Sequence, residues 1–472
     1  MFTFPPMHET AHALHRLLAE ESEPVELTVT LGAVPADLSG VFLANGPGRN
    51  FREDRFYGHP LDGDGFITRV SIADGRVTYQ GRWVRTREFE EEERAARPLY
   101  RSYGTNLPGG MRGNGFRPVT KNPANTHVVS HGGHTLALWE GGWPHRIDPG
   151  TLATLGRWAA DGALVNRAID RWLTPELPFA AHARLDDRTG ELWGFGAVGG
   201  LRNRMMLWVI GPDGTLSTRR ELALSGLPLV HDFVLTPTYA VFVLPAARSS
   251  LTRMLLGLAP LSDTLRVVDA PGAALLVPRD GGPTIRLEVP PGVVSHWIHG
   301  WEDPIGRVVL DGVKYPQVPA PPSEAFAPGQ AWRNVARPTR LTLDPGRRTA
   351  REERLADHAM EFPRTLARIG RPYDVAWGVG APPDRQHPFL SCTVRLDRLA
   401  GVTHCRDFGR ATPSEPIPVA GADGLPQWVL QTLHRPDRTE LLVLRADTLE
   451  TEAVLNLPVA LPPRQHGSWA GA

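Results

Sequence analysis

Asp148-Pro-Gly-Thr-Leu-Ala-Thr154 is echoed near the other end of the chain by Asp447-Thr-Leu-Glu-Thr451, and turns rich in Asp and Gly precede apolar runs near Asp187 and Asp213. Outward from these, the chain is a series of short β-type runs: Val77 to Thr86, Thr135 to Trp139, Glu191 to Val198, Leu207 to Ile210, Tyr239 to Leu244, Val308 to Val313 and Leu441 to Leu444. Gly, Asp and Pro separate them, the residues that close turns between strands. Strand and turn repeated in this way predict a β-propeller, whose blades bury their faces on one another. A pair of β-sandwiches is the structural alternative.

Composition agrees with an all-β chain. Gly (48) and Pro (45) make up about a fifth of the 472 residues, against a usual share of roughly 12 %. With 41 % hydrophobic residues, that excess means turns rather than disorder, because burial of so much apolar surface offsets the ordering entropy. The length alone suggests about three domains of roughly 150 residues. No Ser-rich linker or charge run divides the chain, however, so we expect an N-terminal helical arm over 1–25 and one catalytic propeller over 26–472.

Charge and cysteine content narrow the function classes. Fifty-one Lys and Arg balance 51 Asp and Glu, which leaves no overall field for nucleic acid or an acidic membrane. Only Lys121 and Lys314 are lysines. Cys392 and Cys405 form neither a disulfide framework nor a metal-binding pair, as suits a reducing cytoplasm. The first residues lack the positive start and apolar run of a signal peptide, and no stretch of about 18 apolar residues predicts a spanning helix. A cytoplasmic protein is expected, peripheral to a membrane at most.

His8-Glu9-Thr10-Ala11-His12 matches the H-E-x-x-H pattern that puts two zinc ligands on one helical face. Nothing before it can form a sheet around a cleft, and no third ligand follows at the required spacing. Ala11, Leu14, Leu17 and Leu18 recur at helical spacing between His8 and Glu21, so an amphipathic arm is the simpler reading. A second group of histidines is more informative. His182, His231, His296 and His466 lie in strand or turn contexts far apart in the chain. Inner strands of different blades converge on a propeller axis, so such scatter is compatible with one metal site; taken singly, each is equally compatible with a surface or hydrogen-bonded histidine.

The wording around these residues resembles the carotenoid cleavage oxygenase family. The resemblance begins at Gly40-Val-Phe-Leu-Ala-Asn-Gly-Pro47 and runs through Leu61-Asp-Gly-Asp-Gly-Phe66, Tyr79 and Arg85-Thr86. It resumes at Ala124-Asn-Thr-His127, Leu136-Ala-Leu-Trp-Glu-Gly-Gly142 and Asp148 to Gly156, then covers the three internal histidine motifs. Glu361-Phe-Pro-Arg364, Ser414-Glu-Pro416 and His466-Gly467 complete it. It spans nearly the whole chain after about residue 25, in the family's order.

This resemblance implies a seven-bladed β-propeller with a helical and loop cap, and Fe(2+) on its axis held by His182, His231, His296 and His466. Four neutral imidazoles suit a first-row ion and leave positions open for dioxygen. The family's carboxylates that accept from the ligating imidazoles map onto Glu140, Glu361 and Glu415, where they would fix tautomer and orientation. In Val293-Val-Ser-His-Trp-Ile-His-Gly-Trp-Glu-Asp303, family spacing puts the ligand six residues before the Glu of the Trp-Glu pair, which selects His296 over His299. Gln465 stands where the family often has an aromatic residue. Thr126 resembles a threonine near the open iron position, and an ordinary strand or turn threonine is its alternative.

The implied activity is dioxygen-dependent cleavage of a carbon–carbon double bond in an apocarotenoid or related conjugated alkene, giving two carbonyl products. The alternative substrate is a stilbenoid or phenylpropanoid alkene. Lignostilbene-type members tend to carry Lys before the first Glu, and here that residue is Trp139. An isomerohydrolase and a metal-free binding propeller are the remaining readings. Residues 251–265, with Met254-Leu-Leu-Gly-Leu-Ala-Pro-Leu261 between Arg253 and Arg266, match a family region at the mouth of the substrate tunnel that touches membranes; a buried helix would give the same pattern.

Overall fold

The computed structural model describes residues 13–471 apart from residues 54, 118–119, 169–175, 199–202, 225–228, 317–334 and 383–389. His8 to His12 therefore lie outside the described residues. Helical hydrogen bonding in the arm stops at about Arg16 rather than continuing to Glu21. A β-strand, Ser22–Glu26, pairs instead with Arg76–Trp83. The acidic stretch Glu20-Glu21-Ser22-Glu23 runs into Pro24, and the residue before proline is biased to extended backbone.

Seven antiparallel sheets form the blades of a propeller. Their innermost strands are Gly467–Gly471, His127–His131, Arg184–Asp186, Val234–Leu235, Val293–Glu302, Met360–Arg364 and Ile417–Ala420. The strand nearest the end of the chain lies inside the first blade, where Ala44 pairs with Gly467 and Gly40 with Gly471. The strand Val29–Gly32 sits on the outer edge of the last blade, beside Thr451–Asn456. Both ends thus fasten the ring closed.

The apolar runs read from the sequence are the middle strands of these blades, and their lack of polar alternation has a simple cause. In Asn203–Ile210, Met205, Leu207 and Val209 join Phe233 and Phe242 in one core, while Met206, Trp208 and Ile210 join Leu136 and Leu138 in another. The strand Thr439–Arg445 divides in the same way, with Leu441 and Val443 on one side and Leu442 and Leu444 on the other. Successive side chains point to opposite faces, and each blade face is covered by the next blade. One hydrophobic cluster fills each of the seven interfaces. Each fully buried large side chain contributes roughly 1.5–3 kcal/mol.

The inner strands begin at the end of the propeller that carries the site, and connections from the outer strands return there. Close backbone approach fixes one of these connections. Gly65 donates to Pro123 O at 2.9 Å, and a Cβ at Gly65 would lie 2.5 Å from Ala124 O. Only glycine lets the first blade meet the Ala124-to-His127 loop so closely. A short helix, Arg87–Ala95, capped by Thr86, covers a buried charge cluster next to this contact: Lys121 Nζ is 2.5 Å from Asp64, 2.8 Å from Glu92 and 3.0 Å from the Tyr57 hydroxyl, with Arg52 on the same two carboxylates. Cys392 is buried and Cys405 exposed, and no disulfide joins them.

Candidate metal centre

His182 and His231 lie just before their inner strands, His466 immediately precedes Gly467–Gly471, and His296 lies within Val293–Glu302. The propeller brings one ring nitrogen from each within 4.8 Å of all the others. His182 Nε2 is 3.1 Å from His231 Nε2, which is 3.3 Å from His296 Nε2. Residues as far apart in the sequence as His182 and His466, 284 positions, thereby meet because each lies at or near the start of an inner strand by the axis.

Carboxylates orient three of the rings from behind. His296 Nδ1 donates to Glu361 Oε2 at 2.7 Å, and His466 Nδ1 donates to Glu415 Oε1 at 3.0 Å. Glu140 Oε2 lies 3.2 Å from His231 Nδ1, at ion-pair distance. The carboxylates are themselves anchored: Ser295 Oγ donates to Glu361 at 2.7 Å, and Gly467 N donates to Glu415 Oε2 at 2.9 Å. His231 and Glu140 keep 37 % and 35 % of their side-chain exposure, whereas the other two pairs are buried. The accessible flank of the cluster is therefore the His231–Glu140 side.

Electrostatics favours a neutral ring at His182 and His466 and pulls the opposite way at His231. Burial, together with the other three histidines and Arg184, holds His182 well below the usual histidine range. Burial brings His466 down to about 4 against the opposing pull of Glu415. For His231, burial is outweighed by the charges of Glu140, Asp232 and Glu361, and its pKa is raised. Burial works to raise Glu415, but Arg364 and His466 bring it to about 2. Glu361 likewise ends below the usual range because His296, Tyr315 and Ser295 outweigh its burial.

This donor set fits a first-row divalent ion. Where Nδ1 donates to a carboxylate, Nε2 is left as a lone-pair donor, and lone pairs crowded at 3.1 and 3.3 Å call for a cation between them. Two imidazole nitrogens bound at about 2.1 Å and at right angles would be separated by about 3 Å. Imidazole-only ligation suits iron, zinc, copper or nickel rather than calcium or magnesium.

Other expected residues fall around the cluster in different ways. Thr126 touches it through its backbone: its carbonyl accepts from His466 N at 3.2 Å, and its hydroxyl donates to Asn125 Oδ1 at 3.2 Å. His299 bonds Arg371 O through Nε2 at 2.9 Å and is not among the converging rings. Gln465 N donates to Asn45 O at 2.9 Å. Two residues at the site carried no expectation. His127 places its nitrogens 3.1 Å from Ala181 O and 3.2 Å from Gly467 O, each carbonyl adjacent to a cluster histidine. Phe362 packs its ring 5.1 Å from His296 and 5.2 Å from His466, from a left-handed backbone with φ 49°. Both stand in motifs quoted above, and adjacency to a site residue was the signal available for them.

A profile of the retinal pigment epithelial membrane protein family matches residues 15–471, and the chain belongs to that family of carotenoid-cleavage-type oxygenases. It is 31 % identical over 466 residues to the apocarotenoid-15,15'-oxygenase of Synechocystis sp., covering 93 % of this chain and 92 % of that one. The lignostilbene-alpha,beta-dioxygenase isozyme III of Sphingomonas paucimobilis is 27 % identical, with 97 % and 96 % covered. Among solved structures, cobalt-substituted Synechocystis apocarotenoid oxygenase superposes with a TM-score of 0.90 at 29 % identity, covering 98 % of each chain.

Proposed function

We propose that this protein is an Fe(II)-dependent dioxygenase that splits a carbon–carbon double bond of an apocarotenoid or related conjugated alkene, each carbon taking one atom of O2 to give two carbonyl products. The observation that carries the reading is the convergence of four imidazole nitrogens within 4.8 Å, backed by Glu140, Glu361 and Glu415. His182, His231, His296 and His466 would hold the iron, which supplies the site and the electrons for dioxygen activation. The glutamates keep the Nδ1 of His231, His296 and His466 protonated and their Nε2 free. Thr126, against His466, limits water access beside the ligands, and Phe362 closes the apolar wall behind His296 and His466. No protein general base is required.

An apocarotenoid is favoured over a hydroxystilbene by the fate of the lysines. The chain has two. Lys121 is enclosed by Asp64, Glu92 and Tyr57, and Lys314 pairs with Glu352. Neither is free to engage a phenolate, and Trp139 stands beside Glu140.

No described helix is long and apolar enough to cross a membrane. Met111, Phe116 and Leu258 are exposed on segments that adjoin through Phe116 N to Leu255 O at 2.7 Å and Asn106 Nδ2 to Gly257 O at 3.1 Å. In this reading they form the surface through which an apolar substrate enters from a membrane; within the same segment Gly257, Ala259, Pro260, Thr264 and Leu265 are buried. Anaerobic reconstitution with Fe(II), followed by exposure to apocarotenals and a hydroxystilbene in air, tests the assignment by mass spectrometry. Paired carbonyl fragments from the apocarotenals are expected. Iron-loaded protein that cleaves neither class would overturn it.

A further inference from the structure

The imidazole cluster leaves one ring without a carboxylate in hydrogen-bonding reach. Among the described acids, Asp232 is nearest to His182 Nδ1, with Oδ1 at 4.0 Å, beyond hydrogen-bond distance. Asp232 is instead engaged elsewhere. Its Oδ2 accepts from Arg184 Nη2 at 2.5 Å and from Trp297 N at 2.8 Å, and its Oδ1 accepts from Phe233 N at 2.8 Å. Arg184 also donates through Nε to Phe233 O at 3.1 Å and through Nη2 to Trp297 O at 3.2 Å.

The positions of these partners are what matters. Arg184 follows His182 by two residues, Asp232 directly follows His231, and Trp297 directly follows His296. A single ion pair thus joins the three consecutive blades that present three of the four histidines. Ladder pairing gives two of them little support: the inner strands after His182 and His231 have three and two residues, against ten for the strand holding His296.

We propose that Arg184 and Asp232 are positioning residues, a clamp that holds His182, His231 and His296 at the spacing a metal ion requires. The inference rests on the metal-centre reading above. A planar guanidinium bonded to a carboxylate and two carbonyls fixes direction as well as distance, which an ammonium group does not. The clamp adds directed polar contacts at the ligand segments, beside the hydrophobic cores that hold Val230, Phe233 and Trp297 next to the same histidines.

The test is Co(II) titration of the metal-free full-length protein, following visible absorption, for wild type, Asp232→Asn, Arg184→Met, Arg184→Lys and the Asp232→Asn/Arg184→Met pair. Thermal midpoints of the metal-free forms are measured alongside. Asp232→Asn and Arg184→Met are each expected to weaken Co(II) binding about 10–100-fold and to alter the absorption bands. The double variant is expected to lose no more than either single one, because the two groups act together. Arg184→Lys, which keeps the charge without the fork, falls between and serves as the readable variant where the others do not fold. Wild-type affinity and spectrum in the variants, with only a lower thermal midpoint, would show a purely structural pair and overturn the proposal. Wild-type protein that takes up no Co(II) would overturn the metal-centre reading and this proposal together.

Discussion

His296 donates from Nδ1 to Glu361 Oε2 across 2.7 Å, and the serine preceding that histidine donates to the other oxygen of the same carboxylate, also at 2.7 Å. Consecutive residues of one strand thus use both oxygens of Glu361. Glu361→Gln keeps the shape and removes the charge. It is expected to weaken metal binding about 10–100-fold, measured by competition with a chelator. Ser295→Ala leaves the imidazole bond intact and is expected to change affinity by less.

His466→Ala removes one of four nitrogens without touching the cores between the blades. The folded state is expected to persist by far-UV circular dichroism, while bound iron after reconstitution falls to a small fraction of the wild-type content and alkene cleavage is lost with it.

Lys121 is expected to matter for stability and not for metal uptake. Lys121→Met leaves the fully buried Asp64 and Glu92 with fewer counter-charges, and breaking such a pair costs about 3–5 kcal/mol. Urea unfolding of the metal-free protein measures the loss, and iron content at low denaturant is expected to match wild type.

Acid sensitivity follows from two histidines away from the centre. Burial, aided by the charge of Arg157, brings His145 down to about 3; burial, aided by Arg464, does the same for His434. Both are neutral in the fold, while an unfolded histidine titrates near about 6.5. Between those values the unfolded chain binds more protons, so stability rises with pH across the window and is lost on acidification, by about 1.4 kcal/mol per pH unit for each. His434→Gln is expected to reduce that slope by one proton, read from unfolding midpoints between pH 6.5 and 4.5.

The sequence made the blades legible because their middle strands are apolar on both faces, so runs such as Leu441–Leu444 stand out without any alternation to interpret. The cluster histidines were legible as motifs, and the propeller explains why their separations carry no regular spacing. The arm was read as too long a helix, since local periodicity around Leu17 and Leu18 competed with strand pairing from Ser22 onward. His127 and Phe362 are legible only through adjacency to Thr126 and Glu361, and Arg184 and Asp232 are not legible as site residues. Their partners lie on other blades, and nothing in the local sequence around an Arg or Asp states which neighbouring strand it will tie.

The inner strand of the first blade is Gly467–Gly471, and His466 directly precedes it. During synthesis, three histidines of the cluster leave the ribosome long before the fourth, and the first blade waits for its innermost strand over the same interval. Closing the circle and completing the nitrogen set are therefore a single event. A nascent or prematurely terminated chain presents an incomplete cluster on an open ring, so under the proposed metal reading tight capture would report that translation has passed the last histidine.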